Sequence, residues 1–181
     1  MNVSSTQPTQ VTQEGNIGGT GAVPSQTARL ARAHPTHQPV VERFNTAIIV
    51  FLTVCSKDRK PILSQDDVHQ LLRDSFNAAE SWVVGRYVVM PDHIHLFCAP
   101  GDLMVQPLAQ WVSYWKSHAA RHWPRPNESP IWQRHFWDTQ LRRGENYDQK
   151  WDYVIDNPVR ARLVEKAEDW PYAGELHELR W

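Results

Sequence analysis

Residues 1–42 contain no phenylalanine, tyrosine or tryptophan, although the 181-residue chain holds 9 Trp, 5 Tyr and 5 Phe. A stretch so rich in Gln, Thr, Ser, Gly and Pro cannot bury enough apolar area to offset the entropy of ordering it. Residues 1–43 are therefore expected to form a disordered leader. Long apolar runs are missing too. Nothing approaches the roughly 20 residues of a membrane span, and the N-terminus has no apolar signal core, so a membrane partner is excluded and a cytoplasmic protein is expected. Cysteine is nearly absent: only Cys55 and Cys98 occur, each inside an apolar strand-like run. They read as small buried residues in a reducing compartment. Nor is there an excess of either charge, the formal net charge being -1. That balance argues against a protein that holds duplex DNA by bulk electrostatics alone. Basic residues nevertheless outnumber acidic ones between Val105 and Val164, whereas acidic residues lead between Phe44 and Met104. A positive half of this kind suits a nucleic-acid contact.

The aromatic-bearing part of the chain shows regular periodicity. Ala47–Cys55 (AIIVFLTVC) is a β-branched run too short for a helix of the same apolarity and reads as a buried strand. Val68, Leu71, Leu72, Phe76 and Ala79 recur at helical spacing, giving a helix over about Gln65 to Ser81, with Ser64 as N-cap and Asp66 and Asp67 suited to its positive end. Tyr87–Met90 and Ile94–Ala99 read as two strands joined by a Pro-Asp turn. Leu108, Trp111, Val112, Trp115 and Ala119 define an amphipathic helix within Val105–His122, Ile131–Leu141 is aromatic-rich and strand-like, and a last helix spans about Glu145 to Asp156, broken at Pro158. The order β-α-β-β-α-β plus a C-terminal helix predicts an α+β, ferredoxin-like split-βαβ fold whose first and third strands lie in the centre of an antiparallel sheet.

Two pairs of residues carry chemistry. Side chains alternate along a strand, so His93 and His95 share one face while Ile94, Leu96 and Cys98 share the other. Beside Asp92 the two imidazoles form a half-site for a divalent metal, against the plainer reading of packed histidines. Tyr153 and Asn157 are four apart on the last helix and lie one turn from each other. A hydroxyl nucleophile and an oxygen ligand so placed can attack and align a phosphate. Equally, Tyr153 can pack on the sheet and Asn157 can serve as a helix-terminal residue. Tyr147 competes as nucleophile, but its partner four residues on is Trp151.

Taken together, MPDHIH (90–95), IWQRHFWD (131–138) and YVIDNPVRARLV (153–164) resemble the REP-associated tyrosine transposases, members of the single-tyrosine HUH family, in which two histidines flank an apolar residue. The resemblance covers about Asn45 to Tyr172; with Phe44 it sets a catalytic domain at 44–172, followed by a tail at 173–181. It implies His93, His95 and Asn157 as metal ligands and Tyr153 as nucleophile. It further implies cleavage of single-stranded DNA beside a palindromic-repeat hairpin through a 5′-phosphotyrosine, for DNA transposition. The cofactor would be Mg²⁺ or Mn²⁺, with Mn²⁺ favoured by the softer imidazole donors. Arg134, Arg142, Arg143, Lys150, Arg160 and Arg162 are expected to contact DNA phosphates, with Trp132, Phe136 and Trp137 available for base stacking. Relatives act as monomers or as homodimers, and this sequence does not choose.

Two rival readings differ in class. HIHLF partly mimics the HxHxH of histidine-triad nucleotide hydrolases, but Phe97 stands where the third histidine is needed. A ferredoxin-like sheet can also bind single-stranded RNA or DNA without cutting it, as a domesticated, non-catalytic transposase would. The complete His93, His95, Tyr153 and Asn157 set argues for cleavage.

Overall fold

The computed structural model describes Met1 and residues 48–101, 106–141 and 147–179. The expected leader, 1–43, lies outside them except for Met1, as do Arg142 and Arg143. The chain divides between residues 33 and 34 into two units. All the described helices and strands belong to the second unit.

That unit is α+β. β1 (Val50–Ser56) is followed by α1 (Asp66–Asn77), β2 (Trp82–Val89), β3 (His93–Pro100), α2 (Leu108–Arg121), β4 (Trp132–Gln140), α3 (Tyr147–Ile155), the short α4 (Asn157–Arg160) and β5 (Ala173–Glu175). The strands form one sheet in the order β4-β1-β3-β2-β5, and every neighbouring pair is antiparallel. The expected split-βαβ order is thus present, with β1 and β3 inside the sheet. The structure adds a fifth strand, β5, in the segment expected to be a tail; three residues are too few for periodicity to reveal. Other differences lie at element ends. Gln65, not Ser64, occupies the N-cap of α1, and β2 begins at Trp82, five residues before the expected strand. Pro158 lies in the first turn of α4, where a missing N–H costs nothing, so the last helix restarts there instead of ending.

Strand alternation sends two sets of side chains to two faces. Val50, Leu52 and Val54 of β1 and Ile94, Leu96 and Cys98 of β3 meet Val68, Leu72 and Phe76 of α1 and Trp111, Trp115 and Ala119 of α2 in the larger core. On the other face Ile49, Val88, Met90 and Phe97 meet Tyr147 and Val154 of α3 and Leu179 near the C-terminus. Gly85 permits that last contact, since a Cβ there would stand 2.6 Å from Leu179. Helix α3 therefore lies on the sheet face to which His93 and His95 point.

The β1–β4 pairing is irregular between Val54 and Ser56, opposite the stretch of β4 from Trp132 to Phe136. The buried Lys116 of α2 reaches this stretch, its Nζ donating to the carbonyls of Gln133 at 2.6 Å and Arg134 at 3.4 Å. Burial lowers its pKa to about 8. Because a carbonyl stripped of its donor pays the desolvation cost without return, Lys116→Met is expected to destabilise the domain by about 1–3 kcal/mol in urea unfolding, with the m-value unchanged. Wild-type stability in this variant would mean that the carbonyls find other donors.

Candidate active site

His93 opens β3, and His95 follows on the same face. In antiparallel register His95 lies opposite Thr53 of β1, and Thr53 in turn lies opposite Trp137 of β4. Directly opposed residues share a face, so this cross-strand row fixes what surrounds the imidazoles. The Nδ1 of His93 meets Asp92 Oδ1 at 2.7 Å, and the Nδ1 of His95 meets Thr53 Oγ1 at 2.9 Å. With both Nδ1 atoms held from the outside, the two Nε2 atoms converge to 3.1 Å. The rings stand nearly perpendicular, at 82°.

This geometry dictates the tautomers. A carboxylate only accepts, so His93 donates from Nδ1 and its Nε2 carries a bare lone pair. The Nε2–Nε2 hydrogen bond then needs its proton on His95, whose Nδ1 accepts from the Thr53 hydroxyl. For both Nε2 atoms to offer lone pairs, His95 must carry its proton on Nδ1, and Thr53 accepts it by rotating its hydroxyl. Threonine can take either role; a valine at this position can take neither.

Arg59 braces the pair. Its Nε lies 2.6 Å from Asp92 Oδ2, and its Nη1 donates to Cys55 Sγ at 2.8 Å. Asp58 and Arg59 both adopt the left-handed conformation, φ 57° and 58°, in the turn after β1. Non-glycine residues hold that conformation only where the surroundings require it, and here the turn directs Arg59 to Asp92.

Charge in the site is unfavourable to protonated imidazole. Burial lowers the pKa of His93 against the opposing pull of Asp92. Burial lowers that of His95 to about 3, helped by His93, Arg59, Arg160 and Lys150. Both rings are therefore neutral near pH 7, the state in which imidazole donates to a metal. Among the described residues no cluster of three or more His, Cys, Asp or Glu forms. The imidazole pair thus fits a divalent cation as a half-site that still needs an oxygen donor.

Helix α3 covers the same face. Tyr147 and Trp151 pack edge-on against Phe97, with centroids 4.9 and 6.4 Å away. Lys150 places its ammonium 5.3 Å from the centroid of the Phe51 ring, and Phe51 stacks on His95 at 5.3 Å and 23°. Phe51 is thus a plate between the helix and the histidine. Tyr153 points away from the core and is 64% exposed. The Arg160 guanidinium lies over its ring at 4.1 Å and donates to Asn157 Oδ1 at 2.7 Å. The structure therefore gathers the expected site residues into two groups, His93 with His95 and Tyr153 with Asn157 and Arg160. Lys150 and Arg160 stand close enough to His95 to act on its protonation.

Tyr147, the rival nucleophile, is buried, and its hydroxyl accepts from the Arg86 amide at 3.2 Å. Burial raises its pKa. It is a packing residue. Among the residues expected to contact DNA, Arg134 departs from the group. It shares the strand face of Phe136 and lines a cleft with Lys116 and Trp132 on the side opposite the imidazoles. Arg162 is exposed just after α4, with φ 58°. Trp132 packs on Trp115 and Trp123, and Phe136 is buried, whereas Trp137 is 37% exposed on the imidazole face. Phe51, Thr53 and Arg59 are not singled out by the sequence. A threonine and a phenylalanine alternating with buried Leu52 and Val54 are the available signal, but assigning them to His95 requires the β1–β3 register.

Residues 45–148 match the family described as transposase IS200 like. The chain belongs to the IS200-like transposase family, and so is a DNA-binding, DNA-cleaving transposase. A REP-associated tyrosine transposase of Escherichia coli is 27% identical over 128 residues, spanning 68% of this chain and 73% of that protein. A Haemophilus influenzae protein described as a "putative REP-associated tyrosine transposase" is 28% identical over 149 residues, spanning 72% of this chain and 81% of that protein. A solved REP-associated tyrosine transposase bound to a REP hairpin shares the fold, with TM-score 0.59, 22% identity and coverage of 74% of this chain and 80% of that one.

The depressed histidine pKa values have a thermodynamic consequence. Below pH 6.5 the unfolded chain binds protons at His95 that the folded chain refuses until about pH 3. Folding stability is therefore lost as the pH falls through this interval. The thermal midpoint of the metal-free protein is expected to drop between pH 7 and 5, and to drop less in His95→Gln. Equal drops in the two proteins would show that His95 is readily protonated in the fold.

Proposed function

We infer that this transposase cuts single-stranded DNA beside a hairpin by attack of Tyr153 on a phosphodiester. One observation carries the reading: two neutral imidazoles present converging nitrogens on the sheet face covered by a helix whose tyrosine is exposed. The curated relatives described as REP-associated tyrosine transposases support it, and the hairpin in the structural relative suggests the kind of DNA.

In the reaction the Tyr153 oxygen forms a bond to phosphorus and the bond to the 3′ oxygen breaks. The phenol proton passes through solvent and the 3′ oxygen gains one, so a 5′-phosphotyrosine and a free 3′-hydroxyl result. Attack by that hydroxyl reverses the step and allows strand joining. A divalent cation, Mg²⁺ or Mn²⁺, held by His93, His95 and Asn157 would neutralise phosphate charge and align the displacement. The protein's own contribution is positional. Asp92 and Thr53 orient the imidazoles, Phe51 fixes the plane of His95, and Lys150 and Arg160 supply positive charge beside it. Trp137 offers an aromatic surface on the same face for an unstacked base.

Incubation with hairpin-flanked single-stranded DNA and Mn²⁺ is expected to give a covalent protein–DNA band on a denaturing gel. Tyr153→Phe abolishes the band, and Tyr147→Phe, which loses only the hydroxyl bonded to Arg86, keeps it. Loss of the band in Tyr147→Phe with retention in Tyr153→Phe would reverse the assignment. No band from the wild type on any such substrate would leave a DNA-binding protein without this activity. Thr53→Val and Asp92→Asn, which remove the supports of the imidazoles, are expected to weaken Mn²⁺ binding by about 10–100-fold. Unchanged affinity in both would separate these supports from metal binding.

A further inference from the structure

Arg160 makes three contacts that compete with the roles proposed for its neighbours. Its guanidinium covers the Tyr153 ring at 4.1 Å, and its Nη2 donates both to the Tyr153 carbonyl and to Asn157 Oδ1, the latter at 2.7 Å. A carboxamide oxygen has two lone-pair directions, but a guanidinium fixed on it brings a full positive charge to the place where a metal ion would bind. Lys150 is a second cation close enough to act on His95. Arg160 is exposed, and among the described residues hydrogen bonds and a cation–π contact hold it. Such contacts are worth little individually in water and can be exchanged.

The geometry points to Arg160 as a built-in stand-in cation that yields Asn157 Oδ1 when a divalent metal binds and then takes a phosphate of the single strand with its freed fork. This rests on the reading of His93, His95 and Asn157 as metal donors. In the exchange a guanidinium leaves an oxygen that a metal ion takes, and it pairs with a phosphodiester anion instead of with a neutral amide. Phosphate is its better partner, because the planar fork matches two phosphate oxygens and each such hydrogen bond is charge-assisted. Arg160 thereby couples metal binding to DNA binding. Without metal it is engaged on the protein; with metal it is free for the strand.

The test titrates the full chain with Mn²⁺ alone, monitored by electron paramagnetic resonance of the free ion. Arg160→Ala is expected to bind Mn²⁺ about threefold to tenfold more tightly than the wild type, by removal of a competing cation. The gain disappears when Asn157→Ala is added, and Arg160→Lys falls between. A second readout uses the Tyr153→Phe background, which keeps the ring but does not cut. There Arg160→Ala lowers the slope of log affinity for single-stranded DNA against log salt by about 0.7 in Mn²⁺, one phosphate contact, and leaves it unchanged in EDTA. Mn²⁺ affinity that depends on His93 but not on Arg160, or an equal change of slope with and without metal, would overturn the exchange and leave the metal site standing. Affinity indifferent to His93→Ala would overturn the metal reading itself, and the exchange with it.

Discussion

The site depends on holding each imidazole by its Nδ1 so that both Nε2 atoms face inward. Asp92 does this for His93 from the turn before β3, and Thr53 does it for His95 from across the β1–β3 ladder. Neither support would suffice on a flexible segment. β3 lies in the middle of a five-stranded sheet, paired on both sides and backed by the larger core, so the chain carrying the histidines has little freedom. The positioning is thus a property of the whole fold: a slip of one residue between β1 and β3 would turn Thr53 away from His95 and Leu52 toward it.

The two faces of the sheet divide the work. α1 and α2 seal one face with tryptophans and aliphatic side chains. The other is covered by a thinner layer in which α3 touches Phe97 through Tyr147 and Trp151 and reaches His95 through Lys150 and Phe51. A helix held by fewer apolar contacts opens at lower cost than one in the main core. The helix that carries Tyr153 is packed along one side only and solvated along the other, which suits the proposed nucleophile, since it must meet a large substrate.

Much of this is legible in the residues. The alternation in HIHLF places His93 and His95 together because strand geometry leaves no other arrangement. Helical spacing separates Tyr153 from the inward row of buried Tyr147 and Val154 and half-buried Trp151. The order of elements yields the sheet, since apolar periodicity is strong in each. What escapes the sequence shares one cause: it depends on register or on backbone outside regular elements. Phe51 and Thr53 become neighbours of His95 only through cross-strand pairing. Arg59 reaches Asp92 only through a turn with left-handed residues, invisible in a charged KDR tripeptide. Nearness in sequence groups Arg134 with the other cations, but its parity with Phe136 sends it to the opposite face. Pro158 reads as a helix terminator because proline cannot continue a helix, yet the same missing N–H is harmless in the first turn of a new one, where it stands.

Diffraction from crystals soaked in Mn²⁺, recorded at the manganese absorption edge, bears most directly on the convergence of the two histidines. An anomalous peak bonded to Nε2 of both His93 and His95, on the side covered by α3, is the expected result. A peak bonded to one ring alone, or manganese bound only at distant carboxylates, would contradict it.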